Sequence, residues 1–272
     1  MMFTRNLLSS FVLRVLRKIE RVIIKSSVEF KYSCSVCGNK IVSFDRLPDY
    51  YFEMFDKHQY IHSLFYSETF NYLNYSCSSC GSSDRNRLYA IYFKKRFAEI
   101  SESGKKYKFL DIAPDKNLAD WIKKHSYIEY RSVDLFMETA DDKADITDLK
   151  IYNNNSFDII LCSHVLEHIV EDLKAIKEIY RILRPGGYAI IMVPILLSLK
   201  EDLYNPDWIT ERDRWKYYGQ NDHVRMYSKE GFISKLVNSG FKMHLYGIDY
   251  FGEKIYQEFG INSRAVLYVA EK

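Results

Sequence analysis

"SFDIILCSHVLEHIVEDLKAIKEIYRILRPGGYAIIMVP" occupies residues 156–194, and its reading decides the fold. The stretch opens on an apolar run, Phe157 to Cys162 broken only by Asp158, with the near-continuous apolar character of a strand buried on both faces. "VEDLKAIKEIYRILR" (170–184) places its apolar residues at helical spacing, and Pro185-Gly186-Gly187 predicts where that helix stops. "YAIIMVPI" (188–195) is a second apolar strand. A strand, a helix and a strand in this order form one unit of a parallel sheet.

Working outward, the alternation continues. Upstream lie a strand "YKFLDIA" (107–113), a helix "LADWIKKH" (118–125) and a strand "YRSVDLF" (130–136). Downstream, "SKEGFISKLVNSG", "FKMHLYGI" and "RAVLYVAEK" read as helix, strand, short helix and strand. The expectation is a doubly wound α/β sheet. In such sheets ligands bind outside the carboxyl ends of the strands. The residues standing there are Asp111 with Ala113-Pro114, Asp134 with Leu135, and Ser163-His164. An acidic residue ending the second strand can hold both hydroxyls of a ribose, although any one of these carboxylates could instead cap a helix or turn.

Before the sheet come two nearly identical words, "YSCSVCG" (32–38) and "YSCSSCG" (75–81), holding four of the five cysteines. Two CxxC pairs, Cys34/Cys37 and Cys77/Cys80, supply four thiolates for a tetrahedral Zn²⁺. With no ligand position left to water, the site is expected to be structural; two disulfides or free thiols are the alternative, and reduced cytoplasmic thiols suit a metal better. Between the words runs "DYYFEMFDKHQYIHSLFYSETFNYLNY", whose rings are read as a small core around the clip, with a pocket lining as the other option. His58 and His62 are read as surface or packing residues.

The division is then residues 1–30, residues 31–90 as the zinc-binding module, and residues 100–272 as the sheet domain, with a polar break "SESGKK" at 101–106. The chain has 272 residues, 47% hydrophobic and 28% charged, as a soluble globular protein does. Residues 1–33 carry seven basic side chains against two acidic, a balance of +5, so with a net charge of +3 the remainder sums to −2. A slightly acidic body has no general electrostatic claim on nucleic acid, which is not an expected partner. Residues 5–25 read as a basic amphipathic helix, able either to lie on an anionic membrane surface or to pack on protein. Its apolar stretch is too short to span a bilayer, and the expected location is the cytoplasm, with peripheral contact at the inner face of the membrane as an option.

Phe157-Asp158, Leu166-Glu167-His168, Arg181-Ile182-Leu183 and Pro185-Gly186-Gly187, together with "VDL" (133–135) and "ADITDL" (144–149), resemble the class I S-adenosylmethionine-dependent methyltransferases. The resemblance implies a Rossmann-like seven-stranded sheet of order 3-2-1-4-5-7-6 and S-adenosylmethionine as cofactor. More narrowly, the paired cysteine words, "DIAPDKN" (111–117) and "GQNDHVRMY" (219–227) resemble bacterial zinc-ribbon methyltransferases. Members of that group are associated with surface-polysaccharide and other glycan pathways, which implies a small-molecule or glycan acceptor. A weaker similarity is to zinc-containing C-methyltransferases of nucleotide sugars. An RNA or protein methyltransferase using the zinc module to read its substrate, and a non-catalytic cofactor-binding scaffold, remain as alternatives.

By the resemblance, Asp111, Ala113 and Pro114 surround the methionine and ribose part, and Asp134 holds the ribose hydroxyls. Leu135 lies against adenine, Asp145 and Ile146 meet its edge, and Ser163 and His164 close the site near the sulfonium. Asp145 can instead cap a turn in "DITD". "DIAPDKN" departs from the family in having no glycine, the residue that usually lets the backbone approach the cofactor. For proton removal the candidates are His164, His168 and His223, since histidine titrates near neutrality. Arg225 is suited to grip a phosphate or carboxylate through two parallel bonds, or else pairs with Asp222. Arg85 and Arg87 either face the acceptor or cover a helix start.

Overall fold

The computed structural model describes residues 30–272, and the expected helix over 5–25 lies outside them. Its centre is a seven-stranded sheet. The strands are β5 (Tyr107–Ile112), β6 (Ile128–Asp134), β7 (Asp142–Lys143), β8 (Phe157–Ser163), β9 (Leu183–Met192), β12 (Lys242–Tyr246) and β13 (Leu267–Glu271). They lie in the order β12-β13-β9-β8-β5-β6-β7. Read from the other edge, this is 3-2-1-4-5-7-6, the expected order. β5, β6, β7, β8 and β9 pair parallel, and β13 runs antiparallel to both its neighbours. The two central strands explain themselves: Phe109, Leu110, Ile159, Ile160, Leu161 and Cys162 are all buried, as a parallel sheet covered on both faces requires.

Local chemistry sets the helices. α2 (Asp84–Ser101) starts where Ser83 Oγ accepts the Asn86 amide, and it packs Phe93 on Phe109 at 5.4 Å between centroids. α2 runs without a break across residue 90, the expected edge of the zinc module, so the cysteine region is joined to the sheet through continuous helix. α3 (Lys116–Ile122) is capped by Asp115, whose carboxylate accepts the Asn117 and Leu118 amides. α4 (Asp172–Ile182) buries Ala175, Ile176, Ile179 and Ile182, a stripe at i, i+3 and i+4 spacing. It stops earlier than Pro185-Gly186-Gly187 suggested. Leu183 is already extended, and β9 incorporates all three residues. Sheet pairing wins here because Arg184, preceding proline, is biased away from helix. A side chain at Gly187 would stand 2.7 Å from the Asp158 carbonyl oxygen, which fixes glycine there.

The cysteine region forms small paired strands, β1 (Tyr32–Ser33) with β2 (Lys40–Ile41) and β3 (Phe44–Asp45) with β4 (Ser76–Cys77), around the helix α1 (Tyr50–His58). Between β9 and the last pair of sheet strands come β10 (Leu203–Tyr204), α5 (Glu211–Tyr218), β11 (Arg225–Met226) and α6 (Lys229–Asn238), with α7 (Ile248–Phe251) and α8 (Glu253–Glu258) following β12. Among the described residues no helix is long and apolar enough to cross a membrane.

One side chain ties these parts together. Arg87 is fully buried on α2. Its guanidinium donates to the carbonyls of Ser82 and Asn74 beside the cysteines, and to those of Phe259 and Gly260 near the chain end. It also lies 3.8 Å over the Phe44 ring. Of the two roles considered for Arg87, covering structure is the one it has. Arg87→Met should leave the Asn74 and Phe259 carbonyls without a donor, while Ser82 and Gly260 keep the Cys77 amide and the Asn71 side chain, and cost about 2–4 kcal/mol of folding stability, read by urea denaturation; an unchanged midpoint would show that water replaces the guanidinium.

Candidate active site

The four sulfurs come together although the cysteine words are far apart in sequence. Cys34 Sγ lies 3.8 Å from Cys80 Sγ, and Cys37 Sγ lies 4.0 Å from Cys77 Sγ. Tetrahedral ligands 2.3 Å from a zinc ion stand about 3.8 Å apart, so the spacing fits the ion. The two words fold alike. Gly38 and Gly81 both have φ +78°, and their amides return to the Cys34 and Cys77 carbonyls. Burial is the main influence raising the Cys34 and Cys77 thiols, an unfavourable state for thiolates that a bound cation relieves.

The second cysteine word reaches the sheet. Asn117, at the start of α3, donates its side-chain amide to the Cys80 carbonyl at 2.8 Å. The loop from β5 to α3 is therefore fastened to the metal clip. That loop frames a cleft of about 360 Å³ bounded by Asp111, Ala113, Pro114 and Ser163, with Arg85 and Tyr89 from α2. Ala113 adopts φ +55°, in the left-handed region. This is how a turn without glycine follows its path: alanine takes the strained conformation, held by its amide bond to the Val133 carbonyl. Asp111 is buried, and Tyr130 donates to its Oδ2 at 2.8 Å. Burial pushes the Asp111 carboxyl up to about 7, with the Tyr130 bond only partly opposing it. Tyr89 Oη stands 2.7 Å from Ser163 Oγ.

A second cavity of about 300 Å³ adjoins this cleft, and Arg85 and Tyr75 line both. One wall is aromatic, from Tyr51, Phe55, Tyr60 and Phe70. The segment expected to form a core around the clip instead lines this cavity, and several of its rings, Tyr50, Phe65 and Tyr66 among them, are exposed. The other wall holds His164, Glu167, His168 and His223. His164 also adopts φ +55°, directly after β8, as Ala113 does after β5. Its Nδ1 lies 3.0 Å from Glu167 Oε1. Burial and the neighbouring Arg85 lower the His164 imidazole to about 4, while Glu167 pulls the other way. Burial would raise Glu167, but His164 and the two other imidazoles outweigh it and hold the carboxyl at about 2. At neutral pH the pair is thus a neutral imidazole beside a carboxylate. His223 Nδ1 meets the Tyr218 carbonyl at 3.3 Å, and the His168 and His223 rings cross at 4.9 Å.

The expected site residues divide into those that meet and those that do not. Asp111, Ala113, Pro114 and Ser163 share the first cleft, and His164 and His223 share the second. Asp134 ends β6 and uses Oδ1 to accept the Phe136 and Met137 amides, both at 2.7 Å; Leu135 beside it is exposed. Asp145 caps its own turn by accepting the Thr147 amide, and Ile146 is buried in the core. Arg225 does not face either cavity. It is buried against Asp172 at 2.8 Å and donates to the Ile169 and Val170 carbonyls, so neither a grip on an acceptor nor a pairing with Asp222 describes it. Asp222 turns to His168 instead, 3.5 Å away. His58 stacks on Trp215 and His62 meets the Tyr217 carbonyl, the packing roles expected of them. Glu167 is the residue that sequence reasoning passed over; its place three residues after His164 was the available signal.

Residues 83–246 match the family model described as "Methyltransferase domain". Among curated proteins, the chain is 34% identical over 107 residues to a CTP synthase of Borreliella burgdorferi, covering 39% of this chain and 20% of that protein. It is 27% identical over 103 residues to the ubiquinone/menaquinone biosynthesis C-methyltransferase UbiE of Coxiella burnetii, covering 34% and 41%. The chain thus spans a fifth to two fifths of the length of these two relatives. A solved SAM-dependent methyltransferase from Archaeoglobus fulgidus superposes with a TM-score of 0.44 at 17% identity, over 82% of this chain and 100% of the other.

Elemental analysis should find one zinc per chain, lost in Cys77→Ser, with faster amide exchange spreading to residues 113–118 through the broken hold on Asn117; a folded, zinc-free wild type would refute the clip. Asp111 gives a pH signature of definite sign. Its folded value near 7 lies above the ordinary carboxyl value of 3.8, so its contribution to stability is full below about 4 and is lost as pH rises through 7. Asp111→Asn cannot ionise, and its melting temperature should gain on the wild type's from pH 5 to about pH 7 and level off above. A constant difference across that range would mean that Asp111 titrates normally.

Proposed function

Since the chain belongs to the class I S-adenosylmethionine-dependent methyltransferases, we propose that it transfers the methyl group to a hydroxyl of a small molecule or glycan bound in the aromatic cavity. The observation that carries this reading is the pair of adjoining cavities at the carboxyl ends of β5 and β8, joined at Arg85 and Tyr75. The first, at the glycine-free loop, suits the methionine part of the cofactor, with Asp111, Ala113, Pro114 and Ser163 around it. Asp134 and Leu135, at the end of the neighbouring strand, would take ribose and adenine, with Asp145 and Ile146 on the adenine side. The second cavity is of a size for one or two sugar rings, and its tyrosine and phenylalanine faces suit the apolar face of a pyranose. A role in surface-polysaccharide synthesis is consistent with such an acceptor.

S-adenosylmethionine supplies an electrophilic methyl group on a sulfonium, so the protein has two tasks, alignment and proton removal. The Glu167 carboxylate facing His164 Nδ1 selects the tautomer with its proton on Nδ1 and leaves Nε2 as a base. Nε2 is buried and has no hydrogen-bond partner among the described residues, as a group awaiting a substrate proton would be. His223 supports this wall from the 219–227 segment. The cationic Arg85 beside both cavities favours an acceptor carrying a carboxylate or phosphate.

The test begins with calorimetry for S-adenosylmethionine, followed by methyl-labelled cofactor incubated with small-molecule extracts and nucleotide sugars. Label is expected in the small-molecule fraction. His164→Asn, which tolerates the left-handed backbone but lacks the basic nitrogen, should slow transfer by about 10²–10⁴-fold while still binding cofactor. No cofactor binding by the wild type, or label in RNA or protein alone, would overturn the reading.

A further inference from the structure

The wall of the second cavity has more ligating capacity than a base and its orienting carboxylate need. Glu167 is 1% exposed; its Oε1 faces His164 Nδ1 at 3.0 Å, while its Oε2 has no hydrogen-bond partner among the described residues. Leaving one oxygen of a buried carboxylate without a partner is costly, and the free Oε2 signals a missing one. The nearest candidates for that partner's company are imidazoles. One ligand atom from each of Glu167, His168 and His223 lies within 4.8 Å of the others. Both imidazoles are already oriented from behind. His223 Nδ1 faces the Tyr218 carbonyl at 3.3 Å, and His168 Nδ1 faces the Asp222 carbonyl at 3.3 Å and its carboxylate at 3.5 Å. An oxygen partner at Nδ1 fixes the proton there and leaves Nε2 to coordinate, the arrangement usual for metal-binding histidines.

We propose that Glu167, His168 and His223 form a second cation site, distinct from the four cysteines, that binds a divalent first-row transition-metal ion on the wall of the acceptor cavity. Two imidazoles and a carboxylate, with remaining positions open to the cavity, form a donor set of the catalytic rather than the structural kind. The local charge balance permits it. Glu167 and Asp222 contribute two formal negative charges and Arg85 one positive. The inference rests on the methyl-transfer reading for its purpose: the ion would hold an acceptor hydroxyl and make it more acidic. The hydroxyl proton passes to His164 Nε2, the oxygen forms its bond to the methyl carbon, and the carbon–sulfur bond breaks with its electron pair left on the now neutral sulfur. No further reactant is needed.

The test uses the full chain with its cysteine site loaded with zinc, titrated with Co²⁺. Cobalt bound by imidazole and carboxylate absorbs through its d–d bands without a thiolate charge-transfer band. The expected result is one equivalent of such absorption, weakened roughly tenfold or more in Glu167→Gln and in the partly exposed His168→Ala. Absorption bearing only the thiolate band, no absorption, or equal binding by both variants would overturn the site. Calorimetry with S-adenosylmethionine on the same samples reports on methyl transfer separately, since cofactor binding does not pass through these three residues.

Discussion

A single buried guanidinium holds the architecture together. Arg87 satisfies carbonyls just after the second cysteine word, in the aromatic segment and in the turn after α8, and so ties three stretches to one side chain. Burying an arginine is unfavourable unless its donors are matched, and here the fork is matched by carbonyls rather than by a carboxylate. The choice has a geometric consequence. Carbonyls of separate segments are rigid parts of their own backbones, so the guanidinium fixes where the segments stand relative to α2. Because α2 also supplies Arg85 and Tyr89 to the cleft, two turns of one helix serve both the frame and the site.

The site depends on strain in matching places. Ala113 and His164 follow the two central strands, and both adopt the left-handed conformation that glycine usually takes. Each is held by an amide bond to a neighbouring strand, Ala113 to Val133 and His164 to Met192. The sheet pairing that makes β5 and β8 rigid is what keeps two unfavourable backbones in place. For His164 the return is direct. A residue in the extended conformation would continue the strand, whereas the left-handed turn sends its ring toward Glu167, three residues on.

Most of the fold was legible because periodicity and strand ends are local signals. The alternation of apolar runs and helical stripes, the paired cysteine words and the acidic strand ends all survive translation into structure. What was not legible depended on partners distant in sequence. Arg225 looked either available or paired with Asp222, its neighbour in "NDHVRMY"; its actual partner, Asp172, starts a helix more than fifty residues earlier and is shared with Lys235 and Tyr227. The aromatic segment looked like core because composition does not say which side of a ring faces a void. Pro185-Gly186-Gly187 looked like a helix stop because what holds them in β9 is non-local: Leu183 and Tyr188 on either side pair with β8, and Gly186 and Gly187 exchange backbone hydrogen bonds with Lys272.

The cysteine clip began as a module attached to a catalytic sheet, and the geometry makes it less separable than that. The Cys80 carbonyl receives the Asn117 side chain, and Asn117 opens α3 directly after the turn that holds Ala113 and Pro114. A turn that in the family usually relies on glycine to follow its course has none here, so its conformation must be imposed from outside. The metal clip imposes it from one side and the amide bond to Val133 from the other. On this view the absence of glycine and the presence of the clip are linked. An external brace allows the loop to use residues with side chains, and those side chains, Asp115 capping α3 and Asn117 reaching the clip, are what transmit the brace.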